Sequence, residues 1–241
     1  MLGGAPFQIV QPKEPVKFGG LGHANVGIKS LPKDRGVSWS DFYKGRLGQS
    51  YVSHVYKNYK VHIEAIRRYI IQLSLSKNSS IKPLRVVEAG CGIGSITLNL
   101  ADMSDHKTVI CSGFDVSEGQ VVNSRENALL NNVGDRVSFH KGDIFNSDVY
   151  KDAHIIHSHG VLEHFSDDDI MKILLTQLSS PNVRYVIHYV PLEGWKTPSY
   201  GDERLLPLTH WVNEFAPTRT VAFNDGKDAV LIWDVESLLR N

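Results

Sequence analysis

The run Val86-Val87-Glu88-Ala89-Gly90-Cys91-Gly92-Ile93-Gly94-Ser95 decides the architecture of the chain. Two β-branched residues lead into three glycines at alternate positions, and a helical period follows from Ser95. Glycines at 90 and 92 let the backbone bend sharply and let a ligand approach it closely. The pattern is therefore a strand that enters a helix through a turn built to meet something.

Outward from this run, short β-branched stretches alternate with helical periods after Pro83, as in a parallel sheet covered by helices. The pattern predicts strands at Leu84 to Ala89, Val109 to Phe114, Val137 to His140, Ala153 to Ser158 and Val183 to Val190, with helices at about Ser95 to Met103, Glu118 to Asn131 and Asp167 to Leu178. A loop beyond Trp195 and a short helix near Leu208 to Phe215 precede two last strands, Thr218 to Phe223 and Ala229 to Trp233. Asn224-Asp225-Gly226-Lys227 between them is turn chemistry, which makes the pair an antiparallel hairpin. The expected fold class is α/β: a doubly wound, mostly parallel seven-stranded sheet with a final antiparallel hairpin and an N-terminal helical extension. Val52, Val55, Tyr56, Tyr59, Ile63, Ile66, Ile70 and Leu73, spaced by three and four, form one face of that helix, either a packing face or a lid over a ligand. The first 38 or so residues, rich in Gly, Pro and Lys, read as an extended lead-in.

Open α/β sheets bind ligands outside the carboxyl ends of their strands. Asp115 closes the second strand, where a carboxylate can accept both hydroxyl protons of a ribose. Asp143, in Lys141-Gly142-Asp143-Ile144, closes the third, where it can accept from an exocyclic adenine amine. The fourth exits through Ser158-His159-Gly160-Val161-Leu162-Glu163-His164-Phe165.

These pieces, in this order, resemble the class I S-adenosylmethionine-dependent methyltransferases. The family's first motif, acidic-x-Gly-x-Gly-x-Gly, is matched by Glu88, Gly90, Gly92 and Gly94, its ribose-binding acid by Asp115 and its adenine-contacting acid by Asp143. Gly160 to Phe165 looks like the stretch that often follows the family's fourth strand, and the closing hairpin fits its reversed last strand. The resemblance covers roughly residues 84 to 192; His154 departs from it, since many members open the fourth strand with Asp. It implies S-adenosylmethionine as cofactor and a Rossmann-like domain over 81–241, preceded by an arm and helical lid over 1–80. Contacts to the cofactor are implied at Glu88, Gly90, Cys91 and Gly92, then at Asp115 and Val116, at Gly142, Asp143 and Ile144, and at Ser158 and His159. A nicotinamide enzyme is the nearest competitor, but dinucleotide turns use Gly-x-Gly-x-x-Gly so that a pyrophosphate can sit on the helix N-terminus. Here the spacing is Gly-x-Gly-x-Gly, and Glu88 could orient an ammonium directly or through water.

Methyl transfer from a sulfonium depends mainly on positioning, and a base matters only where the acceptor must lose a proton. His159 stands where such a base, or a polar neighbour of the cofactor, would lie. His188 reads as a satisfied core residue and His164 as a packed, hydrogen-bonded one; no metal site is expected. In the family, substrate contacts come from the N-terminal segment and the loop after the fifth strand. Tyr43, Tyr51 and Trp39 are the candidate aromatic wall there, and Arg204 is either an anion anchor or a surface partner of Asp202 or Glu203.

Composition narrows the setting. Hydrophobic residues make up 41% of 241, in keeping with a globular chain. No stretch approaches the length of a membrane span, the first residues lack a secretory pattern, and two cysteines, Cys91 and Cys111, exclude a disulfide framework. A cytoplasmic, reducing compartment is expected. Formal charge is zero, yet residues 1–82 carry 13 basic and 4 acidic residues and 83–241 carry 13 and 22. That asymmetry keeps RNA or protein methylation open beside the favoured small-molecule acceptor, with a non-catalytic interaction module as third reading. The fourth strand lacks the Asn/Asp-Pro-Pro-aromatic pattern of base methyltransferases, and neither cysteine stands at a strand end suited to attack a pyrimidine.

Overall fold

The computed structural model describes residue 43 and residues 46–76, 83–105, 107–196 and 202–240. The lead-in, Trp39, Tyr200 and Gly201 lie outside these. A helix, α1 (Gln49–Leu75), comes first and is followed by β1 (Leu84–Ala89), α2 (Ser95–Asp102), β2 (Val109–Asp115), α3 (Glu118–Leu130) and β3 (Val137–Lys141). Then come β4 (Ile155–His159), α4 (Asp167–Leu178), β5 (Tyr185–Pro191), α5 (Leu208–Phe215), β6 (Arg219–Phe223), β7 (Asp228–Asp234) and α6 (Val235–Leu239). The strands form one seven-stranded sheet in the order β3-β2-β1-β4-β5-β7-β6. The first five run parallel, and β7 is antiparallel to both β5 and β6. The order reverses between β1 and β4, so the crevice that serves as a binding site in such sheets opens beside the glycine turn.

Local chemistry sets the element ends. Ser117 accepts from the Gln120 backbone N–H and Ser166 from that of Asp169, satisfying first-turn donors of α3 and α4. Asp167, Asp168 and Asp169 place negative charge where the α4 dipole is positive. The hairpin turn puts Asn224, Asp225 and Gly226 at positive φ, and Phe223 pairs with Asp228 across it. β4 and β5 each begin two residues later than the pattern predicts. Arg184 N–H and Arg85 N–H turn to His154, on its carbonyl and ring, instead of extending the ladder. The five-residue α6 is too short for its period to be read.

The two largest hydrophobic clusters lie on the two faces of the sheet, and a smaller third one gathers Val52, Leu98, Val121 and Phe139. Of the large pair, one joins Ile63, Ile66 and Ile70 of α1 and Ile96 and Leu100 of α2 to Val86, Ile155 and Ile187. The other joins Ile170 and Leu174 of α4 and Trp211 and Phe215 of α5 to Val87, Ile156 and Trp233. Helix α1 is therefore an integral layer of the fold. Its start is stitched to the glycine turn by buried Asn127 of α3, whose Oδ1 accepts from Gly48 N–H (2.8 Å) and whose Nδ2 donates to the Ile93 carbonyl (2.9 Å). Asn127→Ala leaves buried backbone groups without partners, so a urea titration should show a loss of about 2–4 kcal/mol. A change below about 0.5 kcal/mol would show that the stitch contributes little.

Candidate active site

The turn after β1 is held open by backbone conformation. Gly90, Gly92 and Gly94 have φ of 66°, 52° and 74°, a region in which a side chain is strained. A Cβ on Gly90 would come within 2.8 Å of Val161 and one on Gly94 within 2.6 Å of Phe139. A Cβ on Gly92 would meet nothing within 4 Å. The outer two glycines are thus packed, and the middle one faces open space where an extended ligand could lie against the backbone.

Beneath this turn, Glu88 is 2% exposed and accepts from both the Thr97 backbone N–H (3.0 Å) and the Thr97 hydroxyl (2.5 Å). These bonds tie the end of β1 to the first turns of α2. Burial pushes the Glu88 carboxyl up to about 7, against the two Thr97 hydrogen bonds that pull it down. Asp115 stands beside it at the tip of β2, its Oδ2 accepting from Gly92 N–H (2.9 Å) and its Oδ1 from Ser117 N–H (2.9 Å). Burial raises this carboxyl too. Each carboxylate oxygen can accept more than one bond, so Asp115 can hold the turn and take hydroxyl donors together.

The remaining predicted cofactor residues divide by face. Val116 is 45% exposed immediately beyond Asp115, an apolar side chain at a strand tip. Asp143 Oδ1 accepts from Phe145 N–H at 3.0 Å, and Gly142 is required because a Cβ there would lie 2.9 Å from Phe114. Three side chains do not face the crevice. Cys91 is turned into the sheet, where its Cβ lies 2.7 Å from a Cβ built on Gly113, and Ile144 is buried in the core with Phe114 and Tyr150. Ser158 is buried on the face opposite His159, because alternate strand residues point to opposite sides. Its hydroxyl meets His188 Nδ1 at 2.7 Å, and His188 Nε2 meets Gln177 at 2.8 Å, so both are spent in a core chain. These three residues are left only their backbone atoms to offer a ligand.

At the tips of β4 and β5 the structure assembles a cluster that periodicity alone hides. The His159 ring stacks on Tyr189 (4.1 Å between centroids, 14°) and takes the edge of Tyr59 at 4.2 Å. His62 of α1 lies parallel to it at 5.3 Å, with the two Nδ1 atoms 3.2 Å apart, and His157 adds a ring 5.9 Å from His62. The Tyr189 hydroxyl donates to buried Asp228 at 2.7 Å, which also accepts from Trp195 Nε1 at 2.8 Å, fixing the ring from the hairpin side. Burial holds His157 and His159 well below the ordinary imidazole range and takes His62 down to about 3. All three are neutral at pH 7. Tyr59 was legible only as a stripe residue and Tyr189 only as a strand residue, while His62, one position before Ile63, was not singled out; the available signal was the pair of tyrosines, 56 and 59, in an otherwise aliphatic stripe.

Of the predicted substrate residues, Tyr51 and Arg204 make contacts elsewhere. Tyr51 packs beside His54 (6.1 Å) in a shallow groove with Arg46, Ser50 and Lys57, and the Tyr43 carbonyl accepts from Arg46 N–H. Arg204 pairs with neither Asp202 nor Glu203. It donates to Asp167 (2.7 Å) and the Phe165 carbonyl (2.6 Å), so its charge already has a partner at the start of α4. His164, packed in a 3-10 turn, meets Asp202 at 2.9 Å. Among the described residues no group of His, Cys, Asp and Glu is placed to hold a metal ion.

Glu88 has a measurable consequence. Between its ordinary 4.5 and about 7 the folded protein holds a proton that the unfolded chain has released, so stability falls as pH rises through that window. Glu88→Gln should therefore stabilise the ligand-free protein at pH 8, by on the order of 2–3 kcal/mol, and flatten this part of the pH profile in thermal melts. Destabilisation at pH 8 would mean that the ionised carboxylate is favourable where it stands.

A methyltransferase-domain family model matches residues 81–216. Among solved structures, the fold is similar to magnesium protoporphyrin IX methyltransferase from Synechocystis PCC 6803 with bound S-adenosylhomocysteine (18% identity, TM-score 0.53, 80% of this chain and 92% of that one). It is also similar to the methyltransferase domain of a bacterial Hen1 (12%, 0.54, 71% and 96%) and to the CurJ carbon methyltransferase (15%, 0.56, 81% and 57%). At these identities the likeness concerns the fold, whereas the family match spans more than half of the sequence. The glycine turn, the acid that closes β2 and the sheet order thus meet in one conclusion: the chain belongs to the methyltransferase-domain family and is an S-adenosylmethionine-dependent enzyme.

Proposed function

We propose that this enzyme methylates a small-molecule nucleophile, with 81–241 as the catalytic domain and α1 as the wall that closes the acceptor space. The observation that carries this reading is the covering of His159. Its ring is packed against Tyr59 and His62 from the chain's own helix and against Tyr189 from β5, an aromatic surround rather than a groove open to a polymer. The basic residues of α1 form no comparable channel: Lys57, Lys60 and Arg68 are exposed, and Arg67 lies 3.5 Å from Glu64. No helix among the described residues is long and apolar enough to cross a membrane. Free, buried Cys91 and Cys111 support a reducing, cytoplasmic setting.

When bound, adenosylmethionine supplies a methyl group already activated on a sulfonium. The chain's residues then have four tasks. Open space at Gly92 receives the amino-acid end, and Glu88, whose ionised form a neighbouring ammonium favours, holds it. Asp115 accepts from the sugar hydroxyls, and Val116 and Asp143 flank the base. His159, kept neutral by burial, accepts a hydrogen bond from the acceptor's O–H or N–H, aims its lone pair and takes the proton as it is lost. Tyr189, anchored by Asp228, fixes the plane of that imidazole.

The test is His159→Asn. Calorimetry should show cofactor affinity within about threefold of wild type, while transfer of labelled methyl to a panel of phenols, carboxylates and amines falls by about 10²-fold or more. Unchanged turnover would remove His159 from the chemistry. Label appearing in RNA or protein instead of the small-molecule panel would overturn the acceptor class.

A further inference from the structure

We infer that the methyl acceptor carries an amino group and that Glu163, just beyond the tip of β4, is the residue that binds it as a cation. The inference rests on the small-molecule reading of the acceptor and names the chemical class that fits there.

Glu163 stands in the 3-10 turn Leu162–His164 that follows β4. Leu162 joins the core with Ile170 of α4, whereas the Glu163 side chain folds back on the strand tip: a Cβ built on Gly160 would lie 3.3 Å from its Oε1. Gly160 follows His159 directly, and its N–H donates to the Tyr189 carbonyl at 3.3 Å. The carboxyl therefore rests where β4 and β5 end together, beside the residues whose rings stack as His159 on Tyr189. The loop after β5 is fastened to the same turn, with Arg204 N–H donating to the Glu163 carbonyl at 2.9 Å.

This carboxyl is 3% exposed, and among the described residues its Oε2 has no hydrogen-bond partner. The charges brought nearby do not neutralise it. The Arg204 guanidinium is committed to Asp167 and the Phe165 carbonyl, and Asp202, which meets His164 at 2.9 Å, and Glu203 add negative charge from the same loop. Burial, and after it these two acids, push the Glu163 carboxyl up to about 8. A buried acid in such company is costly to ionise, and a positive charge brought to it removes that cost. A carboxylate or phosphate in the same place would meet three acids. The rings alongside favour the same sign. Tyr189, and Tyr59 at a break in α1 (φ −115°, ψ 25°), both pack on His159, and phenol faces attract cations.

Calorimetry of the full-length protein with S-adenosylhomocysteine bound tests this without a variant. At pH 7 a carboxyl raised to about 8 is largely protonated, whereas an alkylamine already carries its own proton. Binding the amine ionises the carboxyl and releases up to about one proton, read from titrations in buffers of different ionisation enthalpy. A panel of aralkyl amines led by phenethylamine should show this release, and phenethyl alcohol and phenylacetate should not. Labelled methyl should pass to the amines with kcat/KM at least about tenfold above that for the alcohols and carboxylates. In Glu163→Gln the proton release should vanish and the KM for the amines rise by about 10²-fold, with adenosylmethionine affinity within about threefold of wild type. Absence of proton release with every amine, or a Glu163→Gln variant that keeps the amine preference, would overturn the inference, as would turnover confined to alcohols or carboxylates. That last result leaves the small-molecule reading standing, whereas label in RNA or protein removes that reading and this inference with it.

Discussion

A carboxylate buried at the end of β1 holds the methyltransferase end of the molecule together. Glu88 receives two hydrogen bonds from Thr97, so the strand, the left-handed glycine turn and the first turns of α2 move as one unit. Nothing bulkier than glycine fits at 90 or 94 without displacing Val161 or Phe139, and at 92 the open side is toward the crevice. Among the described residues no cation pairs with this carboxylate, and burial pushes it up to about 7. A group in that condition opposes stability in the free protein and favours a cation brought to it, a trade that binding sites make routinely.

The second dependence runs through α1. Its start is tied to the glycine turn by Asn127, its apolar stripe fills the core over β1, β4 and β5, and its kink delivers Tyr59 and His62 to His159. The glycine turn and the proposed acceptor wall therefore share supports. Neutral imidazoles suit this position because a permanent positive charge there would oppose a cationic methyl donor, whereas a lone pair can orient an acceptor and remove its proton.

Much of this was legible because strand ends announce themselves locally. Glu88, the glycines and Asp115 sit within a few residues of a strong strand pattern, and Asn-Asp-Gly forces the hairpin. Ser158 turns its side chain into the core because strand period, not proximity to His159, decides which face a side chain occupies, and Ile144 because a residue next to a tip acid can still pack inward, so each has only its backbone at the crevice. Arg204 found Asp167, 37 positions away, a pairing that no local pattern encodes. His62 and His159 are 97 residues apart, and on a helical stripe His62 is indistinguishable from a packed core residue until the helix is docked.

We propose that the tips of β1, β2 and β4 form one site, with donor methyl and His159 on the same side of the sheet. A crystal structure of the protein with S-adenosylhomocysteine and an acceptor analogue measures this most directly. It should place the ribose hydroxyls on Asp115, the amino-acid end along Gly92, and the sulfur facing the acceptor beneath Tyr59 and His159. A nucleoside lodged elsewhere, or a sulfur on the far side of the sheet from His159, would contradict it.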